Sequence, residues 1–141
     1  MMNKVIEKDA IYFDIIVGLL NPPFEYDSLI KIMFMAFIMK NCEPKIDKNV
    51  ISLDLISKFI KNLRTEFFIN YKDFENIFRI IKILENSNFI VLEGNKVIQK
   101  SEKFDYNVQS VLFKHKAIQN TVNEIKKMSD KAFIEEVVRY V

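Results

Sequence analysis

Apolar residues recur at helical spacing along most of the chain. Residues 5–20 fit this spacing, although the β-branched run Ile15-Ile16-Val17 is equally typical of a strand, and we favour a helix. Residues 25–40 are apolar nearly all round, which predicts a helix that is buried on several sides. Pro22-Pro23 separates these two segments, because proline lacks an amide donor and disfavours helix at the preceding residue.

The middle of the chain predicts helices followed by a hairpin. Asp47 is a good N-cap and begins a predicted helix to Leu63, residues 64–71 are predicted to be a loop, and a further helix is predicted over residues 72–86. A β-hairpin is predicted next. Phe89–Leu92 and Lys96–Gln99 are short β-branched runs, which are typical of strands, and Glu93-Gly94-Asn95 between them is typical of a turn. This order is typical of a winged helix.

A long helix is predicted after the hairpin, over residues 102–128. Its apolar positions are spaced alternately four and three residues apart, which is a heptad seam interrupted by one histidine. The seam consists of Phe104, Val108, Val111, His115, Ile118, Val122 and Ile125. It is longer than a small winged helix needs for its own core, so we expect another chain to cover it, or else the first helix of this chain. Ser129 caps a last predicted helix, residues 130–140.

The predicted fold is therefore mainly α: a winged-helix-like domain with a long heptad-patterned helix and a short final helix. We divide the chain into an N-terminal helical segment (1–45), a winged-helix-like core (46–100) and C-terminal helices (101–141). A chain of 141 residues suits one domain with a helical appendage.

Composition excludes several classes of chemistry. A single cysteine, a single histidine and two glycines cannot form a cysteine-rich zinc site, a histidine cluster or a phosphate-binding glycine loop. Catalysis by Cys42 would require His115 as its base, and nothing in the sequence brings these residues together. We therefore expect no enzymatic activity, cofactor or metal. His115 itself suits either a core-edge histidine bonded to a carbonyl or a pH-sensitive interface.

Charge and hydropathy bear on the compartment and on nucleic acid. The longest apolar run, Ile32–Met39, is too short to span a bilayer, and no secretory signal is evident, so we expect a cytoplasmic protein that does not bind membranes. The 21 basic and 19 acidic residues give a net charge of +2, which is not the strongly basic balance of a dedicated nucleic-acid binder. Lys96, Lys100 and Lys103 are candidates for contact with a DNA backbone without reading its sequence.

Several segments resemble the small middle components of bacterial three-component ABC-ATPase systems. The opening segment, Leu20-Asn21-Pro22-Pro23-Phe24-Glu25-Tyr26 before an apolar helix, is similar to the start of that family. Ile46-Asp47 with Val50 and Leu53-Asp54 resembles its second helix, and residues 89–97 resemble its wing. Met128-Ser129-Asp130 before a short amphipathic helix matches its ending. The chain differs from the family pattern at Ile56-Ser57-Lys58-Phe59 and in lacking a C-terminal tryptophan.

The resemblance implies a non-catalytic subunit that bridges an SMC- or Rad50-like coiled-coil ATPase and an effector, often a nuclease, as in Lamassu-type anti-phage defence. Under this hypothesis the partner surface would combine the opening segment with the heptad helix. Its residues would be Phe24, Glu25, Tyr26, Val108, Val111, His115, Ile118 and Val122. Two alternatives remain: a free-standing winged-helix DNA-binding regulator that dimerises through the long helix, and a small inhibitor, antitoxin or phage-encoded decoy.

Overall fold

A computed structural model describes residues 2–42, 62–100 and 106–140. Within these ranges the chain is mainly helical and carries one small antiparallel hairpin. The elements, in chain order, are α1 (Met2–Leu20), α2 (Leu29–Asn41), α3 (Leu63–Asn70), α4 (Asp73–Asn86), β1 (Ile90–Glu93), β2 (Lys96–Gln99), a 3-10 helix (Val111–Lys114), α5 (Lys116–Lys127) and α6 (Asp130–Tyr140).

The two N-terminal helices confirm the expectation from periodicity. Helix α1 includes the β-branched run that had allowed a strand. Helix α2 begins later than predicted, because Ser28 is its N-cap and accepts a hydrogen bond from the Lys31 amide at 3.4 Å. Most of the side chains of α2 are buried, as its all-round apolar pattern predicts.

One hydrophobic core joins elements from all three predicted segments. Helix α1 packs on α2 and α4, and α2 also contacts α3, α4 and α6. At the centre, the Phe37 ring of α2 stacks on the Phe74 ring of α4 with centroids 4.8 Å apart. Ile118 and Phe133, from α5 and α6, belong to the same cluster of buried side chains. The N-terminal and C-terminal helices are thus parts of the core.

Helix α3 corrects the predicted loop over residues 64–71. Leu63 is the first residue of α3, and its buried side chain anchors the helix. Only eight residues long, α3 is too short to display a convincing helical period. The predicted helix from Asp47 otherwise lies outside the described residues, which resume at Asn62.

The predicted hairpin is confirmed to within a residue. Ile90 pairs with Gln99 and Glu93 with Lys96 in an antiparallel register. Gly94 in the turn has a positive φ of 60°, a conformation that glycine adopts without the steric cost of a side chain. Helix α4, which was also predicted, leads directly into this hairpin.

The predicted long helix is wrong over residues 106–115. Residues 106–110 are irregular, a 3-10 helix follows, and His115 is extended before α5 begins. Asp14 of α1 explains the break, because its carboxylate accepts hydrogen bonds from the amides of Gln109 and Ser110 at 2.6 and 2.7 Å. These amides therefore have a partner outside any helix.

Helix α6 begins where predicted. The Ser129 hydroxyl accepts a hydrogen bond from the Ala132 amide at 3.1 Å, which is the expected N-cap contact. Phe133 and Val137 of α6 are buried, whereas Ile134 and Val138 are exposed.

Candidate protein-binding surface

The opening segment of the predicted partner surface is mostly core. Phe24 and Tyr26 are buried, and the Tyr26 hydroxyl donates a hydrogen bond to the Val122 carbonyl at 2.6 Å. Burial raises the pKa of Tyr26, so the hydroxyl remains a donor. Glu25 between them is exposed and has a φ of 50°. The prediction that Phe24 and Tyr26 face a partner is corrected, because the chain itself covers them.

The heptad seam divides into two parts. Ile118 and Val122 are buried within α5, so the chain covers this half of the seam and the predicted interface is corrected there too. Val111 begins the 3-10 helix, and half-buried Val108 lies in the irregular segment before it. His115 is exposed, and its carbonyl accepts from the Gln119 amide at 2.9 Å. His115 is therefore not in the core.

The hairpin turn is bound to the body of the protein. The Asn95 carbonyl accepts from the Leu29 amide at 2.7 Å, and its side-chain oxygen accepts from the Ile30 amide at 2.8 Å. Its side-chain nitrogen donates to Ser28 Oγ at 3.2 Å and to Asp130 Oδ2 at 2.7 Å. Asn95 thus joins the hairpin to the N-terminus of α2, whose first amides have no acceptor within the helix, and to the Asp130 carboxylate at the start of α6.

The predicted DNA-contact lysines lie in different settings. Lys96 lines a polar cleft of about 570 Å³ that it shares with the carboxylates of Asp27, Glu93 and Asp130. These carboxylates offset its charge, which weakens attraction to phosphate. Lys100 is exposed after β2, and Lys103 lies outside the described residues.

Lys31, which lines the same cleft, makes structural hydrogen bonds. Lys31 is buried, and its ammonium donates to the carbonyls of Lys126 and Met128 at the C-terminus of α5. A cation is favourable at that end of a helix, where unpaired carbonyls carry partial negative charge. Burial lowers the pKa of Lys31, against the attraction of Asp130 and Asp27.

A buried ionic cluster joins α1, α2 and α4. The Asp73 carboxylate accepts from Lys8 Nζ at 2.9 Å and from the Tyr12 hydroxyl at 2.5 Å, and Lys40 Nζ lies 3.6 Å away. Asn41 donates to the Tyr12 oxygen at 2.9 Å. Burial alone would raise the pKa of Asp73, but the hydrogen bonds from Tyr12 and Lys8 and the charge of Lys40 outweigh it, so the pKa is lowered.

The lone cysteine is adjacent to this cluster and is also buried. Desolvation, reinforced by the negative charge of Glu66, raises the pKa of the Cys42 thiol to about 12. A thiol in this environment stays protonated and is a weak nucleophile. His115 is an exposed residue at the start of α5, and no contact between it and Cys42 is seen.

Helix α3 carries an exposed apolar surface that the predicted loop over residues 64–71 did not anticipate. Phe68 is 84% exposed and Ile69 is 66% exposed, and Tyr71, just after the helix, is 53% exposed. We name these three residues the α3 outer face. On its other side α3 buries Leu63, and the Phe67 ring lies 6.2 Å from Phe37. The run Phe67-Phe68-Ile69 was the signal for this face, since three successive apolar residues cannot all point inward from one helix.

An open apolar groove of about 460 Å³ lies beside α3. It runs between α2 and the start of α4 and is lined by Leu29, Ile30, Met33, Phe34, Phe67, Phe74 and Asn95. Phe67, on the inner side of α3, lines the groove, so the groove and the α3 outer face lie on two sides of the same helix. Grooves of this kind accept apolar side chains from a partner.

The described chain is thus a helical protein with a docked hairpin and an exposed apolar helix. No protein-family model, curated protein or solved structure matched this sequence. Among the described residues, no helix has the length and apolarity required to cross a bilayer.

Proposed function

We propose that this protein is a non-catalytic binding subunit that links an SMC-like coiled-coil ATPase to an effector in an anti-phage defence complex. The exposure of the α3 outer face is the main support for the binding role. Exposed aromatic and aliphatic residues beside a groove are typical of surfaces that another protein covers. The identity of the partner rests on the sequence resemblance, whereas the winged-helix-like description of α3, α4 and the hairpin rests on the order of these elements.

The geometry of α4 and the hairpin favours this role over a free-standing DNA-binding regulator. Arg79 of α4 pairs with Asp9 at 3.0 Å, and Lys82 pairs with Glu85 at 2.5 Å. Cations that already have carboxylate partners gain less from phosphate. The hairpin turn is engaged by α2 through Asn95, so a wing could enter a DNA groove only by giving up those hydrogen bonds.

Co-purification tests the proposal. The tagged full chain is co-expressed with the products of its neighbouring genes, and we expect it to retain a coiled-coil ATPase. Phe68→Ser combined with Ile69→Ser should reduce recovery of that ATPase at least tenfold. Ile83→Ser, at a similarly exposed apolar position on α4, is the matched control and should leave recovery unchanged.

Three results would overturn the proposal. The first is a chain that binds no product of the neighbouring genes. The second is a soluble dimer whose tight DNA binding depends on sequence and on salt, since this would identify the regulator instead. The third is capture of a toxin encoded by an adjacent gene, which would identify an antitoxin.

A further inference from the structure

The segment before α5 carries two incompatible patterns of apolar residues. Val108, Val111 and His115 continue the heptad spacing of Ile118, Val122 and Ile125, which suits one uninterrupted helix. Tyr106 and Phe113 are seven residues apart and would lie together on the opposite face of that helix. The structure instead uses these aromatic residues, and residues 106–114 lie across α1 outside any α-helix.

Two anchors hold residues 106–114, which we name the strap. The first is Asp14, which accepts hydrogen bonds from the Tyr106 hydroxyl at 3.1 Å and from the Gln109 and Ser110 amides. The second is the Phe113 ring, which lies against Gly18 and has its centroid 5.5 Å from that of Phe24. Phe13 adds an edge contact to the Tyr106 ring at 5.1 Å between centroids. The groups that these anchors contact lie in or just after α1, and Gln119 of α5 also donates a hydrogen bond to the Phe113 carbonyl.

We propose that the strap is releasable: when it leaves α1, helix α5 extends backward through residues 106–114. The extension continues the helical period that the sequence already carries. It adds about ten residues, or ~15 Å, to α5, because His115 joins the helix as well. Val108 and Val111 then share a face with Ile118 and Val122, and Gly18 and Phe24 lose the ring that covers them. The strap therefore controls access to Phe24.

Two features make exchange between these states feasible. In the extended helix the Ser110 amide exchanges Asp14 for a helical carbonyl, and removal of the strap opens Asp14 to water, which can replace the donors that it loses. The strap also borders an open crevice of about 250 Å³ lined by Gly18, Pro22, Pro23, Phe113 and Gln119 among others, so movement of the ring meets little resistance on that side. The inference concerns the chain alone and does not depend on the proposed partner.

Paired spin labels on the full chain test the inference. Asn107 and Asn120 are exposed, and they are replaced by cysteine for labelling. Cys42 remains unlabelled because it is buried. In an extended helix their backbones would be ~20 Å apart, since thirteen residues each rise 1.5 Å. We expect Asp14→Ala to shift the main distance to this value, and far-UV circular dichroism to show the matching gain in helix.

Two further variants keep the test falsifiable. Gly18→Ala leaves Asp14 in place but puts a methyl carbon 2.6 Å from Phe113 Cζ, so it should shift the distance in the same direction. Asp9→Ala, five residues earlier on α1, should leave the distance unchanged. An unchanged distance between the two labels in both Asp14→Ala and Gly18→Ala overturns the inference. A broad distribution of label distances without a gain in helix content also overturns it, as does an equal shift of the label distance in Asp9→Ala.

Discussion

Replacing Asp73 with asparagine tests the ionic cluster that joins α1, α2 and α4. The substitution keeps the shape of the side chain but removes the charge that Lys8 and Lys40 face. Asp73 is 2% exposed, so water cannot replace the lost interaction at the carboxylate. The two lysine side chains are only partly buried, and they regain some hydration when they lose their partner.

The expected cost follows from these contacts. Removing one partner of a buried ion pair costs about 3–5 kcal/mol, and partial exposure of both lysines reduces this figure. The amide oxygen can still accept one hydrogen bond. We therefore expect Asp73→Asn to lower the free energy of unfolding by about 2–3 kcal/mol at pH 7, a large share of the ~5–15 kcal/mol typical of a domain.

The cost should also depend on pH, with a definite sign. The pKa of Asp73 is lower in the folded chain than its ordinary value of 3.8. A carboxylate with a lowered folded pKa stabilises the fold above its unfolded pKa, and this stabilisation is lost as pH falls through the folded pKa. The difference between wild type and Asp73→Asn should therefore be full above pH ~5 and shrink toward pH 3.

Urea unfolding followed by circular dichroism at several pH values measures this difference. Asp9→Asn is the matched control, because Asp9 pairs with Arg79 at the surface, where such pairs contribute about 1 kcal/mol or less. An Asp73→Asn variant within 0.5 kcal/mol of wild type at pH 7, where about 2–3 kcal/mol is expected, would refute the reasoning. A difference of constant size from pH 3 to pH 7 would show that packing, not charge, is responsible.

Three further predictions concern the hairpin, the core and the surface. Asn95→Ala should cost about 2 kcal/mol and speed amide exchange in the first turn of α2, and equal exchange there would contradict its bridging role. Tyr26→Phe should cost about 1–2 kcal/mol in urea unfolding, because the Val122 carbonyl loses its buried donor; an unchanged midpoint would argue against this hydrogen bond. Phe68→Ser should leave stability within about 0.5 kcal/mol and reduce binding of an apolar dye, whereas a large loss of stability would show that Phe68 is covered.

Local patterns predicted the elements whose causes are local. Helix α4 has a complete apolar stripe, α6 has a serine cap, and the hairpin has a glycine turn. Each of these signals lies within a few residues of the element that it specifies. The boundaries differ by only a residue in these cases.

The error over residues 106–115 arose where a distant residue decides the structure, whereas α3 was missed because it is short. The predicted long helix is interrupted because Asp14, roughly a hundred positions earlier, accepts the amides of Gln109 and Ser110. No pattern within residues 102–128 encodes that contact. The predicted interface had the related difficulty that apolar residues such as Phe24 and Val122 suit a core as well as a partner surface, and only the tertiary arrangement separates the two.

Polar contacts between distant segments select one arrangement of the helices. Apolar packing is non-directional, so a chain this rich in apolar residues could adopt several arrangements of its helices. Asp73 fixes α4 against α1 and α2, Asp14 fixes residues 106–110 on α1, and Asn95 fixes the hairpin on α2 and α6. Among the described residues, no α3 side chain takes part in the hydrogen bonds of these three nodes. The inner side of α3 packs through Leu63 and Phe67, while Phe68 and Ile69 on its outer side stay exposed.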